Sequence, residues 1–261
     1  MLTQAIPLFQ DGHILRREML IALSDYAYLT SQLVYKGYSD GILAGCELTT
    51  TKDNIILNSG IIFYNGQAYL IKEAMTIAYY PTNTTTILKL YISDELREPN
   101  FVYREIDLIL TEEADLHQNE LELCRFKLQQ GAKLRDQYQN FEDRNTVFDT
   151  LNRIYAPFST KGESTLSWEI TRAFAKEMFA TNSLTDLDAF FCMQILNQPY
   201  PVSKEALAVY LKQSNVLELS ESDRSNLGIY TGLVKVLKDR QKGKTSSSNK
   251  ESTKRWKVSV D

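Results

Sequence analysis

The chain has little of what chemistry usually needs. Its 261 residues include 2 histidines, 3 cysteines, 2 tryptophans and 6 prolines. His13 and His117 lie more than a hundred residues apart, in a turn and in a polar loop. The stretch EADLHQNE around His117 holds Asp115 and Glu120 but lacks the compact ligand set of a metal centre. Cys46, Cys124 and Cys192 stand far apart in apolar contexts, LAGCEL, LELCRF and AFFCMQ, so they read as buried, reduced thiols of the core. No run approaches the ~18 apolar residues of a spanning helix, so no membrane span is expected. The segment MLTQAIPLFQDGHILRRE has no basic region followed by an apolar stretch and a cleavage site. The expectation is synthesis in the cytoplasm, with release by lysis rather than by secretion.

Catalytic motifs are missing too. No G-x-S-x-G elbow is present. No phosphate-binding glycine loop exists, and Gly243-Lys244-Thr245 matches only the end of one. Glu112, Glu113 and Asp115 sit at a strand end and read as a solvated turn. The expectation is therefore no enzyme, no catalytic residue, no cofactor and no metal. Net charge is −4, which excludes a general nucleic-acid binder, because phosphate recognition needs a concentrated basic face. The aromatic pairs Tyr79-Tyr80 and Phe190-Phe191 could form a ligand platform, but core packing and edge positions explain them more simply.

What is present is architecture. Hydrophobic residues make up 43% of the chain and tyrosine is frequent, at 15. Apolar positions at helical spacing predict a helix from Ile14 to Tyr35, after the Asp11-Gly12 turn and before Lys36-Gly37. From Gly41 onward, short apolar runs close on turn signals. IIL ends at Asn58-Ser59-Gly60, and IIFY ends at Asn65-Gly66, which predicts a tight hairpin with QAYLI because both central residues of such a turn need positive φ. Thr85–Ser93, Val102–Leu110 and Asn119–Leu128 alternate as half-buried strands. After Gly131 the chain turns polar, predicting an extended crossover and a short helix before Pro157. Beyond it, the stripe Leu166, Ile170, Phe174, Met178 and Phe179 starts a set of helices, with Ser203 as an N-cap and a last helix over Ser222–Leu237. From Asp239 to Asp261 there are seven Lys/Arg against three Asp/Glu, and a disordered basic tail is expected.

The reading is thus an α+β chain: an N-terminal helical docking segment (1–40), an antiparallel β-meander or small β-sandwich (41–135), a crossover (136–165), a helical bundle (166–238) and a tail (239–261).

The ordered set of motifs carries a resemblance. Asp11-Gly12, then Asp40, Gly41, Ile42 and Gly45, then Ser59, Gly60, Ile61, Gly66 and Tyr69, then Asn119 to Arg125, resembles small phage and prophage tail proteins of the baseplate and fibre-attachment type. The match runs over roughly residues 10–200. It implies a structural subunit of a contractile tail, tailocin or related injection apparatus. The implied partners are other tail or baseplate proteins and further copies of the chain, in a homo-oligomer that becomes part of the particle. Two other classes remain open. A receptor- or carbohydrate-binding tip would cluster exposed aromatics, Trp168 and several Tyr, on one face. A cell-wall hydrolase would bring two acids, or a Cys–His pair, together in a cleft.

Overall fold

The structure is a computed structural model that describes residues 5–214 and 224–243. Among these residues it is an α+β fold with an N-terminal helix, α1 (Arg17–Val34), antiparallel strands after it and four helices at the C-terminal side. The strands divide among small antiparallel sheets around one core. Strand β1 (Gly41–Gly45) pairs with β4 (Gly60–Tyr64), which forms a hairpin with β5 (Gln67–Ile71). Strand β2 (Leu48–Thr50) pairs with β3 (Asn54–Leu57), and β3 with β6 (Met75–Ala78). Strand β7 (Thr85–Ile92) runs between β10 (Ile106–Thr111) and β11 (Glu120–Lys127). A two-stranded hairpin, β8 (Leu96–Arg97) and β9 (Val102–Tyr103), projects beside them.

The β4–β5 turn matches its prediction. Asn65 and Gly66 have φ of 49° and 77°, and Tyr64 faces Gln67. The strand expected over Val102–Leu110 is instead two, because β9 turns back onto β8 before β10 starts. Strand β11 departs from simple alternation. A bulge between Glu122 and Cys124 brings consecutive residues Leu121 to Cys124 all out of solvent.

Two cores form. The first gathers Ile42, Leu57, Ile62, Leu88, Leu90, Leu123, Cys124 and Phe126 from the strands, with Leu151, Ala156 and Phe158 from the segment after them. The second is aromatic and lies among α2 (Trp168–Phe179), α3 (Asp186–Asn197), α4 (Lys204–Gln213) and α5 (Asn226–Gln241). Phe141 packs on Phe174 and Tyr230, and Phe191 stacks on Tyr210 with ring centroids 4.0 Å apart. Each of these four helices begins at a Ser or Thr whose side chain accepts a backbone N–H two or three residues on: Ser167, Thr185, Ser203 and Ser225. Thr185 and Asp188 complete a reciprocal capping box.

Three expectations need correction. Residues 136–165 are not a free crossover. Phe141 and Ile154 belong to the helical core while Leu151 and Phe158 belong to the strand core, so this segment is wedged between the two. The short helix expected before Pro157 is a single 3-10 turn at Glu142–Asn145, followed by extended chain bridged to Arg125, Lys127 and Arg135. The last helix continues past Leu237 to Gln241, so Asp239 and Arg240 are helical rather than part of a tail. The rest of the proposed tail, residues 244–261, lies outside the described residues, as does the start of the last helix as expected from Ser222.

Candidate docking surface

Helix α1 forms for a plain reason: from Met19 to Val34 its residues are mostly apolar or good helix formers, with Glu18 in the first turn. Its ends are weakly built. Arg16 at the N-cap makes no side-chain cap, and the last turn carries no basic residue. A left-handed Gly37 follows, at φ 82°. The helix is tied to the body near its C-terminal end. Tyr35 lies edge-on to Tyr38 and 5.9 Å from the Phe63 ring of β4. Gly162 donates to the Gly37 carbonyl, and Tyr38 bridges to Lys161.

None of the 18 residues of α1 is buried. Leu20, Ile21, Leu23, Tyr26, Tyr28, Leu29, Leu33 and Val34 are all exposed, Tyr28 and Leu33 by about 70%. Ahead of the helix, Ile6, Leu8, Phe9, Ile14 and Leu15 are exposed as well. A surface cleft of about 680 Å³ is lined wholly by residues between Leu8 and Met19. Soluble monomers rarely leave so large a contiguous apolar surface in water.

Two smaller apolar surfaces exist. The β8–β9 hairpin carries Leu96, Phe101, Val102 and Tyr103 outward, with the Phe101 and Tyr103 rings 5.8 Å apart. Helix α3 buries Phe191, Cys192 and Ile195 but turns Leu187, Phe190 and Met193 to solvent.

The polar clusters serve the architecture. Asp188 is fully buried and accepts from Tyr210 (2.7 Å), Thr185 (2.6 Å) and Arg240 Nε (2.6 Å), joining α3, α4 and α5. Burial pushes its carboxyl up, and the bonds from Arg240, Thr185 and Tyr210 more than offset that, so it is held below the usual carboxylate range. Lys89 is buried on β7 and satisfied by Glu120 at 2.9 Å and by the Asp115 carbonyl. Arg125 grips Glu122 through two 2.7 Å bonds and stacks on Tyr155. Arg153 links Glu169 of α2 to the Cys46 carbonyl beside β1.

The resemblance motifs also hold structural positions. Asp40 accepts the Asn65 N–H of the hairpin turn at 2.7 Å. A Cβ on Gly41 would meet the Pro157 carbonyl oxygen at 2.5 Å, and one on Gly45 would meet that of Ser59. Gly45 pairs with Gly60, and the Asn119 N–H donates to the Tyr64 hydroxyl.

The weaker chemical candidates are scattered. The His117 imidazole lies 3.3 Å from Glu113, both more than half exposed, and its backbone N–H donates to Glu120. His13 lies in the exposed segment before α1. Among the described residues, no group of three His, Cys, Asp or Glu side chains is placed to hold a metal. Also among them, no helix is long and apolar enough to cross a membrane. Cys46, Cys124 and Cys192 are buried and free, and burial pushes each thiol up to about 12. The paired aromatics split. Tyr79 is buried, with its hydroxyl donating to the Thr51 and Lys52 carbonyls, while Tyr80 is exposed; Phe191 is buried and Phe190 exposed. Trp168 begins α2 with the Arg172 guanidinium 5.5 Å from its ring.

The class that fold and surface define is an α+β protein whose most conspicuous feature, among the described residues, is an apolar helix with no buried residue. No protein-family model matches the sequence, and no curated protein matches it. Among solved structures, the chain is similar to one in the type VI secretion system TssK-TssF-TssG baseplate subcomplex, at 10% identity and TM-score 0.45, covering 90% of this chain and 100% of that one. It is similar to TssK in a crystal structure, at 13% identity and TM-score 0.44, covering 92% and 72%. A chain of the baseplate complex from the type VI secretion system matches at 10% identity and TM-score 0.34, covering 90% and 100%.

Proposed function

We propose that this chain is a structural subunit of a phage, prophage or tailocin-like tail, placed at the baseplate as an adaptor that works through protein–protein contacts. The observation that carries the reading is α1, a helix with no buried residue and a broad apolar surface. Such a surface costs free energy in water and is kept where a neighbouring protein covers it. The motif resemblance to tail proteins supports the choice of assembly. In the structure those motif residues set turns and close strand contacts, as expected of residues that make a rigid module. In this reading the chain is made in the cytoplasm and leaves with the particle.

The test is affinity purification of the tagged chain from its native host after prophage induction, followed by mass spectrometry. Tail or baseplate proteins in stoichiometric amounts are the expected result. Recovery of the chain without them, or with a cell-wall polymer in their place, would overturn the reading.

A further inference from the structure

We propose that Asn226 is a positioning residue for α1. From the start of α5 it holds the base of a short hairpin whose tip grips the chain where α1 leaves the body, so the helical core sets the direction in which the helix points.

The exit of α1 is where direction is decided. Lys36 and Gly37 follow the helix, and Gly37 has a φ of 82° with nothing within 4 Å of where a Cβ would stand. A left-handed glycine on an open surface is a pivot. An exposed helix on an unrestrained pivot samples many directions, and ordering it on binding costs affinity.

The pivot is clamped. Phe158 and Thr165 exchange both backbone hydrogen bonds, at 3.0 and 2.9 Å, and close a hairpin over residues 158–165. Its tip lies along residues 37–39. The Gly162 N–H donates to the Gly37 carbonyl at 2.9 Å, and the Ser39 N–H donates to the Thr160 carbonyl at 2.9 Å. The Ser159 hydroxyl donates to the Ser39 carbonyl at 2.5 Å, and the Thr160 N–H to the Ser39 hydroxyl at 3.3 Å. Ser159 and Thr160 are buried, and satisfied buried polar groups of this kind rigidify what they join. Bonds on both sides of Tyr38 thus leave the link little freedom.

The base of the hairpin belongs to the helical core. Asn226 Nδ2 donates to the Ala156 carbonyl at 3.2 Å and to the Thr165 carbonyl at 3.3 Å, so one amide spans both arms. The buried Thr165 hydroxyl donates to the Val202 carbonyl at 2.8 Å, just before α4. Glu163 meets Arg224 at 3.1 Å and Lys204 at 3.9 Å, but the Glu163 and Arg224 side chains are 54% and 43% exposed, and an ion pair that wet contributes little. The amide and the hydroxyl therefore carry the attachment. Of the two, only Asn226 releases both arms when it is lost.

The proposal rests for its use on the reading of α1 as a docking helix, which it deepens: the helix meets its neighbour already aimed. Its geometry is measured with no partner present. It can fail while the baseplate reading stands, and stand while that reading fails.

The test is the distance between two nitroxides on the purified full chain, read by double electron–electron resonance. One pair joins α1 to the body, Leu23→Cys with Val209→Cys, both at exposed positions. A second pair, Thr49→Cys with Val209→Cys, lies on the body alone. The native cysteines are buried and stay unlabelled. With Asn226 present, both pairs should give one narrow distribution. Asn226→Asp keeps the side chain's size, cannot donate to either carbonyl, and places a carboxylate where the α5 dipole favours it. In that variant the α1 pair should become about twice as wide, while the body pair stays narrow. An α1 pair already broad with Asn226 in place overturns the proposal. So does an unchanged width in the variant, or a body pair that broadens with it. Should Asn226→Asp fail to fold, amide exchange of the unmutated chain decides. The Ser39 and Gly162 amides should open together with the Ile229 amide, which bonds to the Ser225 carbonyl in the first turn of α5. Exchange at Ser39 and Gly162 more than about tenfold faster than at Ile229 would show that the clamp opens without α5, and overturns the proposal.

Discussion

Gly60 shows how little room a single position leaves. A Cβ there would lie 2.5 Å from both the backbone nitrogen and the Sγ of Cys46 and 2.6 Å from the Ala44 carbonyl oxygen. Gly60→Ala should therefore cost about 1–3 kcal/mol through overpacking, read as a lower urea midpoint with an unchanged slope. An unchanged midpoint would mean that β1 and β4 are not held this close. Near it, the Cys46 thiol is pushed up to about 12 by burial, as are those of Cys124 and Cys192. All three should resist a thiol reagent at neutral pH in the folded chain and react on unfolding; rapid native labelling of any one would contradict its burial. Asp188 makes a sharper prediction. Its carboxyl is held low in the fold, so its contribution is fully present above the unfolded carboxylate value of about 3.9 and is lost as pH falls through the lower folded value. Asp188→Asn should cost about 3–5 kcal/mol near neutral pH, since it leaves Arg240 buried beside a neutral partner. The gap to wild type should then narrow in acid. A gap that stays constant down to pH ~2, well below the unfolded value of about 3.9, would remove the ion pair from the account.

At the scale of elements, the end of α5 matters most. Arg240 lies in its last turn and is buried against Asp188. Cutting the chain after residue 243 keeps every described contact and should leave the helical core intact. Cutting after residue 238 removes Arg240 and should cost about 3–5 kcal/mol. Thermal melts of the two truncations check this, and equal melting temperatures would count against it. The sequence misled here because a run rich in Lys, Arg and Ser resembles a solvated tail, and nothing in it marks Arg240 as paired with a residue fifty positions away. The same reason hides the role of residues 136–165. Their polarity was legible, but their partners were not: Arg135 meets Asp143, Asn152 meets Asn145, and Thr165 donates to the Val202 carbonyl. Local signals fared better. The Asn65-Gly66 turn, the Ser203 cap, the stripe from Leu166 to Met178 and the three buried cysteines all depend on near neighbours and could be read directly. Strand β6 was missed because four residues at a sheet edge, half-buried in alternation, give too short a pattern. The docking surface was half legible. Helical spacing gave α1, but a sequence cannot show that none of it is covered.

The whole molecule has two cores that share one stretch of chain. Between Phe141 and Phe158, Phe141 and Ile154 enter the helical core while Leu151, Ala156 and Phe158 enter the strand core. Arg153 is the polar counterpart of that arrangement. It is 7% exposed, bonds to Glu169 of α2 at 3.1 Å and to the Cys46 carbonyl at 3.2 Å, and lies over the Phe158 ring. Unfolding either core alone would strip cover from this stretch and strand a buried guanidinium, so the described body should melt as one unit, with calorimetric and van't Hoff enthalpies equal. Arg153→Ala removes the link and leaves the Cys46 carbonyl without that donor. Because Glu169 is about a third exposed and can be hydrated, the loss should fall at the lower end for a broken buried pair, about 3 kcal/mol. The more telling effect is on cooperativity. The variant's calorimetric trace should broaden or divide, with the strand core and the helical core melting apart. Two transitions already present in the wild type would show that the cores are not coupled, and a variant that melts as sharply as the wild type would show that something other than Arg153 couples them.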